Sequence, residues 1–375
     1  MDRRTMLGAS GALIAAQALP GASDAAEQKK GQGSGKAQQH RRIATEEAFA
    51  SPAQMEAMTG ICRSTWNNLD LGLWRSLTNP RTANRNRLRR ALLDLEEERI
   101  RDMAANGVHA HVLSLTAPGV QMMDADTAVS VAAASNDYLA EVISRHPRRF
   151  YGLAAFAPQD PKRAVQEMER AIGELKLNGF ILNSHTNNEY FDNQKFWPIL
   201  EAAEALDRPL YIHPRCPSDQ LAEGCRDYQL SSGMWGFHSE TSLHVTRMIM
   251  AGVFDRFPKL TVVLGHMGEG LPYWLYRIGN IYDAFHPPGS ATRLKTPPVE
   301  AFKRNFYITT SGVNDPQVLQ FVIAKLGIDR VMWAIDYPYE RTAPAVQFMD
   351  NAPVSEADRA KLYHGNAERV FHIPA

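Results

Sequence analysis

The sequence predicts an α/β protein built as a single (β/α)₈ barrel domain with an insertion after its first strand. From residue 41 onward, eight short β-rich runs alternate with amphipathic stretches. Strands that alternate with helices form parallel sheets with right-handed crossovers, and eight such units in about 300 residues suffice to close a barrel. Residues 50–85 interrupt the alternation, because they are polar and show no clear period. They are therefore predicted to be the insertion.

The predicted strands are short apolar runs bounded by polar or turn residues. They cover residues 42–49, 108–115, 150–157, 179–185, 209–214, 259–266, 305–312 and 331–337. Apolar residues at helical spacing predict helices over residues 87–105, 127–144, 162–174, 194–205, 239–250, 271–284 and 316–326. A doubly wound open sheet is the alternative. No Gly-x-Gly-x-x-Gly motif follows the first strand, which disfavours a dinucleotide-binding version of it.

Residues 1–26 are expected to be a twin-arginine (Tat) export signal. Arg3 and Arg4 precede a short apolar stretch, which small residues follow. That stretch is too short for a membrane span, and the order of basic, apolar and small residues is typical of secretory signals. Residues 27–40 are expected to be a flexible linker to the domain at residues 41–375. We therefore expect a periplasmic protein, with a cytoplasmic one as the alternative.

The composition disfavours several classes of protein. Lys plus Arg and Asp plus Glu both number 41, so the formal net charge is zero, and neither a nucleic-acid partner nor membrane insertion of the mature chain is expected. The cysteines Cys62, Cys216 and Cys225 include no Cys-x-x-Cys pair, which disfavours a structural zinc site. A disulfide between Cys216 and Cys225 stays open at this point.

Ionisable residues stand at the C-terminal ends of the predicted strands. Glu46 lies in the first strand, while His185, His213, His266 and Asp336 end four of the others. These strand ends meet at one mouth of a barrel. A single such residue is typically a structural hydrogen-bonding or capping group, but several buried on one rim need compensation that a divalent cation supplies. We expect Glu46, His213 and Asp336 to bind Zn²⁺ or Mn²⁺, since carboxylates and imidazole without cysteine suit these ions.

Ten ordered motifs carry a family resemblance. They are ATEEAFA, LSLTAPGVQ, FAPQDP, NSHTNNEY, FWPILEAAEALDRPLYIHPR, GVFDRFPKL, LGHMGEGLPYWLYR, YITTSG, AIDYPYE and GNAERVF. Over residues 41–373 the chain resembles the amidohydrolase-2 (amidohydrolase-related) family, and within it the group of 5-carboxyvanillate, γ-resorcylate and 2,3-dihydroxybenzoate decarboxylases. The resemblance implies a metal-dependent, non-oxidative decarboxylase (carboxy-lyase) of a small hydroxylated aromatic acid, such as a carboxyvanillate or hydroxybenzoate. It also implies a homo-oligomer, dimer or tetramer.

The resemblance assigns roles to residues of these motifs. Glu46, His213 and Asp336 are the implied metal ligands, and Asp336 is also the implied proton carrier. His266 in the GHMGE motif is implied to be catalytic, and Glu269 to pair with it.

The implied substrate-binding residues come from two further segments. Thr116 in the LTAPGVQ motif is similar to a residue that contacts the substrate carboxylate. An arginine that binds this carboxylate precedes the LLDL sequence in the most similar relatives. Arg85 takes that place with an offset of one position, and Arg81 and Arg87 compete with it.

Other residues and other functions stay open. His185 is expected to support the fold, with contact to the metal ligands as the alternative. Trp235, Phe237 and Tyr339 are expected to line either the pocket or the core. Many amidohydrolases carry His-x-His on the first strand, where this chain has Glu-Glu-Ala, and this departure disfavours binuclear hydrolysis. The alternatives are a metal-dependent lactone or amide hydrolase, a hydratase, and a non-catalytic periplasmic binding protein.

Overall fold

Eight parallel strands form a barrel in residues 40–375, the part of the chain that the computed structural model describes. The strands are β1 (Ile43–Phe49), β2 (Ala110–Leu115), β3 (Phe150–Ala154), β4 (Gly179–Asn183), β5 (Leu210–His213), β6 (Val262–Leu264), β7 (Phe306–Thr309) and β8 (Val331–Met332). Each strand pairs with the next one in sequence. The N–H of Ala48 donates to the carbonyl of Tyr337 at 2.7 Å, which ties the segment after β8 back to β1. The predicted barrel and its eight strands are confirmed.

Helices fill the connections between the strands. They are α1 (Pro52–Cys62), α2 (Leu71–Thr78), α3 (Ala83–Leu93), α4 (Glu97–Ala105), α5 (Ala125–Arg145), α6 (Pro161–Gly173), α7 (Trp197–Ala205), α8 (Asp219–Ala222), α9 (Gly236–Met250), α10 (Val253–Arg256), α11 (Leu271–Phe285), α12 (Pro298–Asn305), α13 (Pro316–Leu326), α14 (Thr342–Asp350), α15 (Glu356–Ala360) and α16 (Asn366–Val370). Short 3₁₀ segments and a π-helical turn, Lys361–Gly365, complete the connections. Six of the seven predicted helices are found within a few residues of their expected bounds.

The helix predicted over residues 87–105 was wrong in its continuity, because it is two helices, α3 and α4. The chain breaks at Asp94, whose side chain accepts hydrogen bonds from the backbone N–H groups of Glu96 (3.0 Å) and Glu97 (2.9 Å). An acidic side chain that satisfies the free N–H groups of a first turn starts a new helix. The helical spacing of apolar residues continues across this break, so the spacing alone predicted a single helix.

The predicted insertion after β1 is confirmed, but it is helical rather than irregular. Ser51 and Thr82 cap α1 and α3 with their hydroxyl groups, and Trp74 of α2 is buried. The indole N–H of Trp74 donates to the backbone carbonyl of Ala117 at 2.9 Å. The side-chain amide of Gln54 donates to the backbone carbonyl of Thr116 at 2.8 Å. The insertion therefore packs on the loop that follows β2, at the mouth of the barrel.

The strands are buried on both faces, as strands of a barrel surrounded by helices are. All six residues of β2 and all seven of β1 are buried. Polar groups are tolerated in such strands where other groups bind them. The polar residues of the strands are therefore candidates for the site.

The predicted export signal and all of the predicted linker except His40 lie outside the described residues. The domain bounds therefore stay a prediction. Cys62, Cys216 and Cys225 are free thiols, so the possible Cys216–Cys225 disulfide is not formed. Within residues 40–375, every helix falls short of the length or apolarity that crossing a membrane requires.

Candidate metal centre and active site

The two oxygens of the Glu46 carboxylate in β1 differ in their hydrogen bonding. Its Oε2 accepts hydrogen bonds from the hydroxyls of Tyr211, Thr309 (2.8 Å) and Ser311. Its Oε1 is buried and finds no hydrogen-bond partner among the residues that the structure describes. A buried carboxylate oxygen without a partner is costly. The three hydroxyls fix the orientation of the carboxylate and leave one oxygen available for a ligand.

His213 ends β5 with its ring nitrogen Nε2 3.4 Å from Oε1 of Glu46. Its other nitrogen, Nδ1, lies 2.7 Å from the carbonyl oxygen of Pro214. A carbonyl accepts only, so Nδ1 carries the proton and Nε2 presents its lone pair toward Glu46 when the ring is neutral. Metal-bound histidines are commonly oriented by such a bond from the second nitrogen.

His266 and Asp336 complete the group around Glu46. Nε2 of His266 lies 3.8 Å from Oε1 of Glu46 and 3.6 Å from Oδ2 of Asp336. Ligand atoms of Glu46, His266 and Asp336 all lie within 4.8 Å of one another. The predicted ligand His213 adjoins this group through Glu46, so the structure brings all four residues together. Two carboxylates, imidazole nitrogens and an unpartnered oxygen fit a divalent cation. Which of the two histidines binds it stays a prediction.

Gly265 makes room for the Glu46 carboxylate. A Cβ atom at this position would lie 2.6 Å and 2.7 Å from the two carboxylate oxygens. Side-chain carbons do not approach oxygens that closely. The glycine before His266 is therefore required for Glu46 to occupy its place.

Glu269 links His266 to a second histidine, His238. The carboxylate of Glu269 lies 2.8 Å from Nδ1 of His266 and 2.6 Å from Nδ1 of His238. Burial alone raises the pKa of Glu269, but the charge of His266 and the hydrogen bonds from both rings outweigh it and lower the pKa to about 2. The predicted pairing of His266 and Glu269 is thus present in the structure. His238 was not predicted, because it stands in the first turn of α9 and not at a strand end.

The carboxyl group of Asp336 is largely buried in the loop after β8. Burial raises its pKa, while the hydrogen bond and charge of His266 oppose that rise. The same contact acts on His266, where burial lowers the pKa but the charges of Glu269 and Glu46 raise it well above its usual range. Asp336 and His266 are therefore a pair of neighbouring groups, each of which shifts the pKa of the other.

The predicted substrate-binding residues lie on one side of this pair. The hydroxyl of Thr116 lies 2.6 Å from the phenol oxygen of Tyr339. Burial raises the pKa of Tyr339 to about 12, and the nearby guanidinium of Arg85 acts against that rise. Arg85 is half-buried and near enough for its charge to act on this phenol, while Arg81 and Arg87 are exposed. Its burial and its effect on Tyr339 favour Arg85 among the three candidates.

A cavity of about 770 Å³ extends from Arg85 between the helices of the insertion. Its lining holds four arginines, which are Arg63, Arg75, Arg81 and Arg85, together with hydroxyl and amide side chains. A cleft lined by one sign of charge attracts ligands of the opposite sign. The cavity therefore suits the approach of an anionic molecule.

His185 has structural contacts. Its Nε2 donates to the carbonyl of Cys216 at 3.2 Å, and its Nδ1 accepts the N–H of Asn188 at 3.3 Å. Burial lowers the pKa of His185 to about 2, so it is neutral. These contacts fit the expected supporting role. Trp235 is 60% exposed, so it does not lie in the core.

Comparisons with known proteins place this geometry in context. A protein-family model described as amidohydrolase matches residues 85–373. The γ-resorcylate decarboxylase of a Polaromonas species is 39% identical over 299 residues, covering 76% of this chain and 90% of that protein. The solved 5-carboxyvanillate decarboxylase of Sphingomonas paucimobilis is 47% identical with a TM-score of 0.86, covering 89% of this chain and 99% of that one. The 5-carboxyvanillate decarboxylase of Novosphingobium aromaticivorans, solved with manganese and 4-hydroxy-3-methoxy-5-nitrobenzoic acid, is 37% identical with a TM-score of 0.86, covering 89% of this chain and 97% of that one.

Proposed function

The chain belongs to the amidohydrolase family, and we propose that it removes one carboxyl group from a 5-carboxyvanillate-type acid. The family resemblance seen in the sequence is confirmed. The chain is a carboxy-lyase of aromatic acids, as its relatives and structural neighbours are. These likenesses give no support to the alternatives of hydrolysis, hydration or binding without catalysis.

The observation that carries the proposal is the unpartnered Oε1 of Glu46 beside His213 and His266. We assign Mn²⁺ to this position, held by Glu46, His213 and Asp336, with His266 adjacent. Oxygen and nitrogen donors without thiolate suit Mn²⁺, and a neighbour of 37% identity was solved with this ion. When bound, the cation supplies a positive charge that polarises the oxygens of the substrate and stabilises their negative charge.

Arg85, Thr116 and Tyr339 are proposed to hold the carboxylate that the substrate keeps. A guanidinium and two hydroxyls offer the donors that a carboxylate accepts, and Thr116 and Tyr339 already contact each other. Arg85 also lines the arginine-lined cavity. A substrate with two carboxylates uses this cluster for one of them while the other faces Asp336. This arrangement supports a dicarboxylate over γ-resorcylate, which carries a single carboxylate.

Asp336 is proposed to deliver the proton that replaces the carboxyl group. The phenolate beside the departing carboxylate pushes electron density into the ring, and the ring carbon takes a proton from Asp336. The C–C bond to the carboxylate then breaks, its electron pair restores the aromatic ring, and CO₂ leaves. Asp336 regains a proton from water. His266, oriented by Glu269 at 2.8 Å, lies beside Asp336 and balances its changing charge.

A comparison of two substrates tests the proposed specificity. The Mn²⁺-loaded protein is assayed with 5-carboxyvanillate and with γ-resorcylate under the same conditions. We expect kcat/KM for 5-carboxyvanillate to be at least tenfold higher, about the effect of one charge-assisted hydrogen bond. Equal values, or a preference for γ-resorcylate, would contradict the role given to the second carboxylate.

We also propose that the protein forms a homo-oligomer, a dimer or a tetramer. The helix α11 exposes several large aromatic side chains, which are Tyr273, Trp274, Tyr276 and Phe285. Several exposed aromatic side chains on one helix are typical of a protein contact. Sedimentation velocity at assay concentration tests this, and a monomer there would contradict it.

The place of action is proposed to be the periplasm, reached through the Tat pathway. The support is the order of Arg3–Arg4, apolar stretch and small residues in the first 26 positions. This pathway exports folded proteins, which suits an enzyme that takes up its metal before export.

A further inference from the structure

Glu47, the residue next to Glu46, contacts the loop that carries Asp336. Successive residues of a strand point to opposite faces, so Glu46 and Glu47 serve different surroundings. The Oε1 of Glu47 accepts the backbone N–H of Ile335 at 2.9 Å, and its Oε2 accepts that of Tyr337 at 2.9 Å. One carboxylate thus holds the two amides on either side of Asp336.

Asp336 needs such support because its backbone is in an unfavourable conformation. Its φ is +76°, in the left-handed region that residues with a side chain seldom occupy. Residues persist there when surrounding contacts hold them. Besides the two bonds to Glu47, the N–H of Ala48 donates to the carbonyl of Tyr337 at 2.7 Å. Two consecutive residues of β1 therefore fix the chain around Asp336.

Stability alone does not account for a glutamate at this position. Glu47 is fully buried, and burying a carboxylate is expensive even when it is compensated. The N–H groups of Ile335 and Tyr337 compensate it most, and the charge of Arg99 adds a smaller contribution. Arg99 is also buried, and its guanidinium lies over the ring of Tyr337 at 4.6 Å from the centroid. Arg99 also donates to the carbonyls of Ala48 (2.6 Å) and Ala91 (3.0 Å). Apolar replacements of such buried charges are often neutral or stabilising, so a role beyond stability is indicated.

We infer that Glu47 is a positioning residue of the active site: it holds both amides that flank Asp336 and thereby sets the direction of the Asp336 carboxylate toward His266 and Glu46. This inference rests on the proposed function, in which Asp336 binds Mn²⁺ and donates the proton. Glu47 itself touches neither the cation nor the substrate. The first strand then contributes to the metal centre in two ways. Glu46 binds the cation directly, and Glu47 holds the backbone of the loop after β8 that carries Asp336.

Two substitutions at Glu47 and one control test the inference. Glu47→Gln leaves one acceptor oxygen for two N–H donors, so one amide beside Asp336 loses its partner. Glu47→Asp keeps the carboxylate but is one methylene shorter, so it reaches a single amide. This milder variant is used if the Gln variant fails to fold. The control is Glu167→Gln in α6, where a largely buried carboxylate binds Asn136 (2.7 Å) and Arg170 in the outer helical layer.

Two quantities are measured. The Mn²⁺ affinity is determined from the electron paramagnetic resonance signal of the free ion, and kcat and KM are determined separately from steady-state kinetics. Residues that orient metal ligands change affinity or activity by roughly 10- to 100-fold when replaced. We expect that loss in Mn²⁺ affinity and kcat for Glu47→Gln and a smaller loss for Glu47→Asp. KM should change less than kcat, because Arg85 and Thr116 are untouched. Glu167→Gln should bind Mn²⁺ as the wild type does.

The outcomes separate this inference from the proposed function. A wild-type protein that binds no Mn²⁺ or releases no CO₂ would remove the proposed function. A wild type that does both, with folded Glu47 variants whose affinity and kcat stay within about twofold of it, would overturn the positioning role alone. A lower melting temperature with unchanged affinity would also overturn it, as would an equal loss of affinity in the Glu167 control.

Discussion

Oε1 of Glu46 lies 3.4 Å from Nε2 of His213, while the second oxygen of the same carboxylate is held by hydroxyl groups. The histidine's other nitrogen faces the carbonyl of Pro214, so its lone pair is directed at Glu46 when the ring is neutral. An anchored carboxylate and an oriented imidazole thus face each other from the first and fifth strands. Predictions about the site follow from this arrangement.

Asp336→Asn separates metal binding from proton delivery. The amide keeps the size and one oxygen of the side chain but removes its charge and its acidic proton. We expect kcat to fall on the order of 10²-fold or more with Mn²⁺ at saturation, as for the loss of a positioned general acid. Turnover is measured as a function of Mn²⁺ concentration. Recovery to near-normal turnover in excess Mn²⁺ would pass the role of proton donor to His266.

Gly265→Ala should displace the Glu46 carboxylate. The added Cβ meets both carboxylate oxygens at under 3 Å, so Glu46 must move away from its three hydroxyl partners. We expect Mn²⁺ affinity to fall by roughly 10- to 100-fold, measured by metal titration. The matched control is Gly60→Ala in α1, where a Cβ meets nothing within 4 Å, and its affinity should equal that of the wild type. Equal affinity in both variants would contradict the tight fit around Glu46.

Arg85→Gln should weaken substrate binding. Losing a charge-assisted hydrogen bond to a carboxylate costs about 1.5–3 kcal/mol, so KM for 5-carboxyvanillate should rise about tenfold or more while kcat changes little. The control is Arg87→Gln in the same helix, since Arg87 is exposed and contacts Asn84. Steady-state kinetics of both variants measure this. An equal rise in both would show a general effect of charge instead of a specific contact.

Replacing Arg3 and Arg4 by lysine should retain the protein in the cytoplasm. The twin-arginine signal is read by its receptor as a pair of arginines, and lysine keeps the charge without the guanidinium groups. Cell fractionation of the full-length chain measures the distribution, and unchanged total activity shows that the same amount folds. Undiminished export of the variant would count against the Tat pathway.

The sequence sufficed for the barrel because its signals are local and repeated. Each strand is a short apolar run, and alternation with amphipathic helices leaves few topologies. The break at Asp94 was missed because apolar periodicity continues through it, while a cap depends on one side chain. The helices of the insertion were missed because their buried faces are short. Ser51 followed by Pro52 was an available signal for the first of them.

The site was predicted where residues end strands, and missed where position depends on tertiary packing. His213 ends β5, and His266 and Asp336 lie in the loops that follow β6 and β8, so barrel geometry brings all three to one mouth. Tyr211 lies two residues before His213, and therefore on the same face of β5. That spacing was a signal that could have identified it. His238 could not be predicted from the sequence. It lies in the first turn of a helix and not at a strand end, so no local pattern indicates its contact with Glu269.

The most direct test of metal-dependent decarboxylation is CO₂ release while Mn²⁺ is titrated into the metal-depleted enzyme with 5-carboxyvanillate. CO₂ and vanillate are quantified together, because decarboxylation yields them in equal amounts and neither hydrolysis nor hydration yields CO₂. The proposed metal centre predicts that both products rise in parallel with added Mn²⁺ and level off at one ion per chain. Full CO₂ release from the metal-depleted enzyme, or a product formed without CO₂, would contradict it.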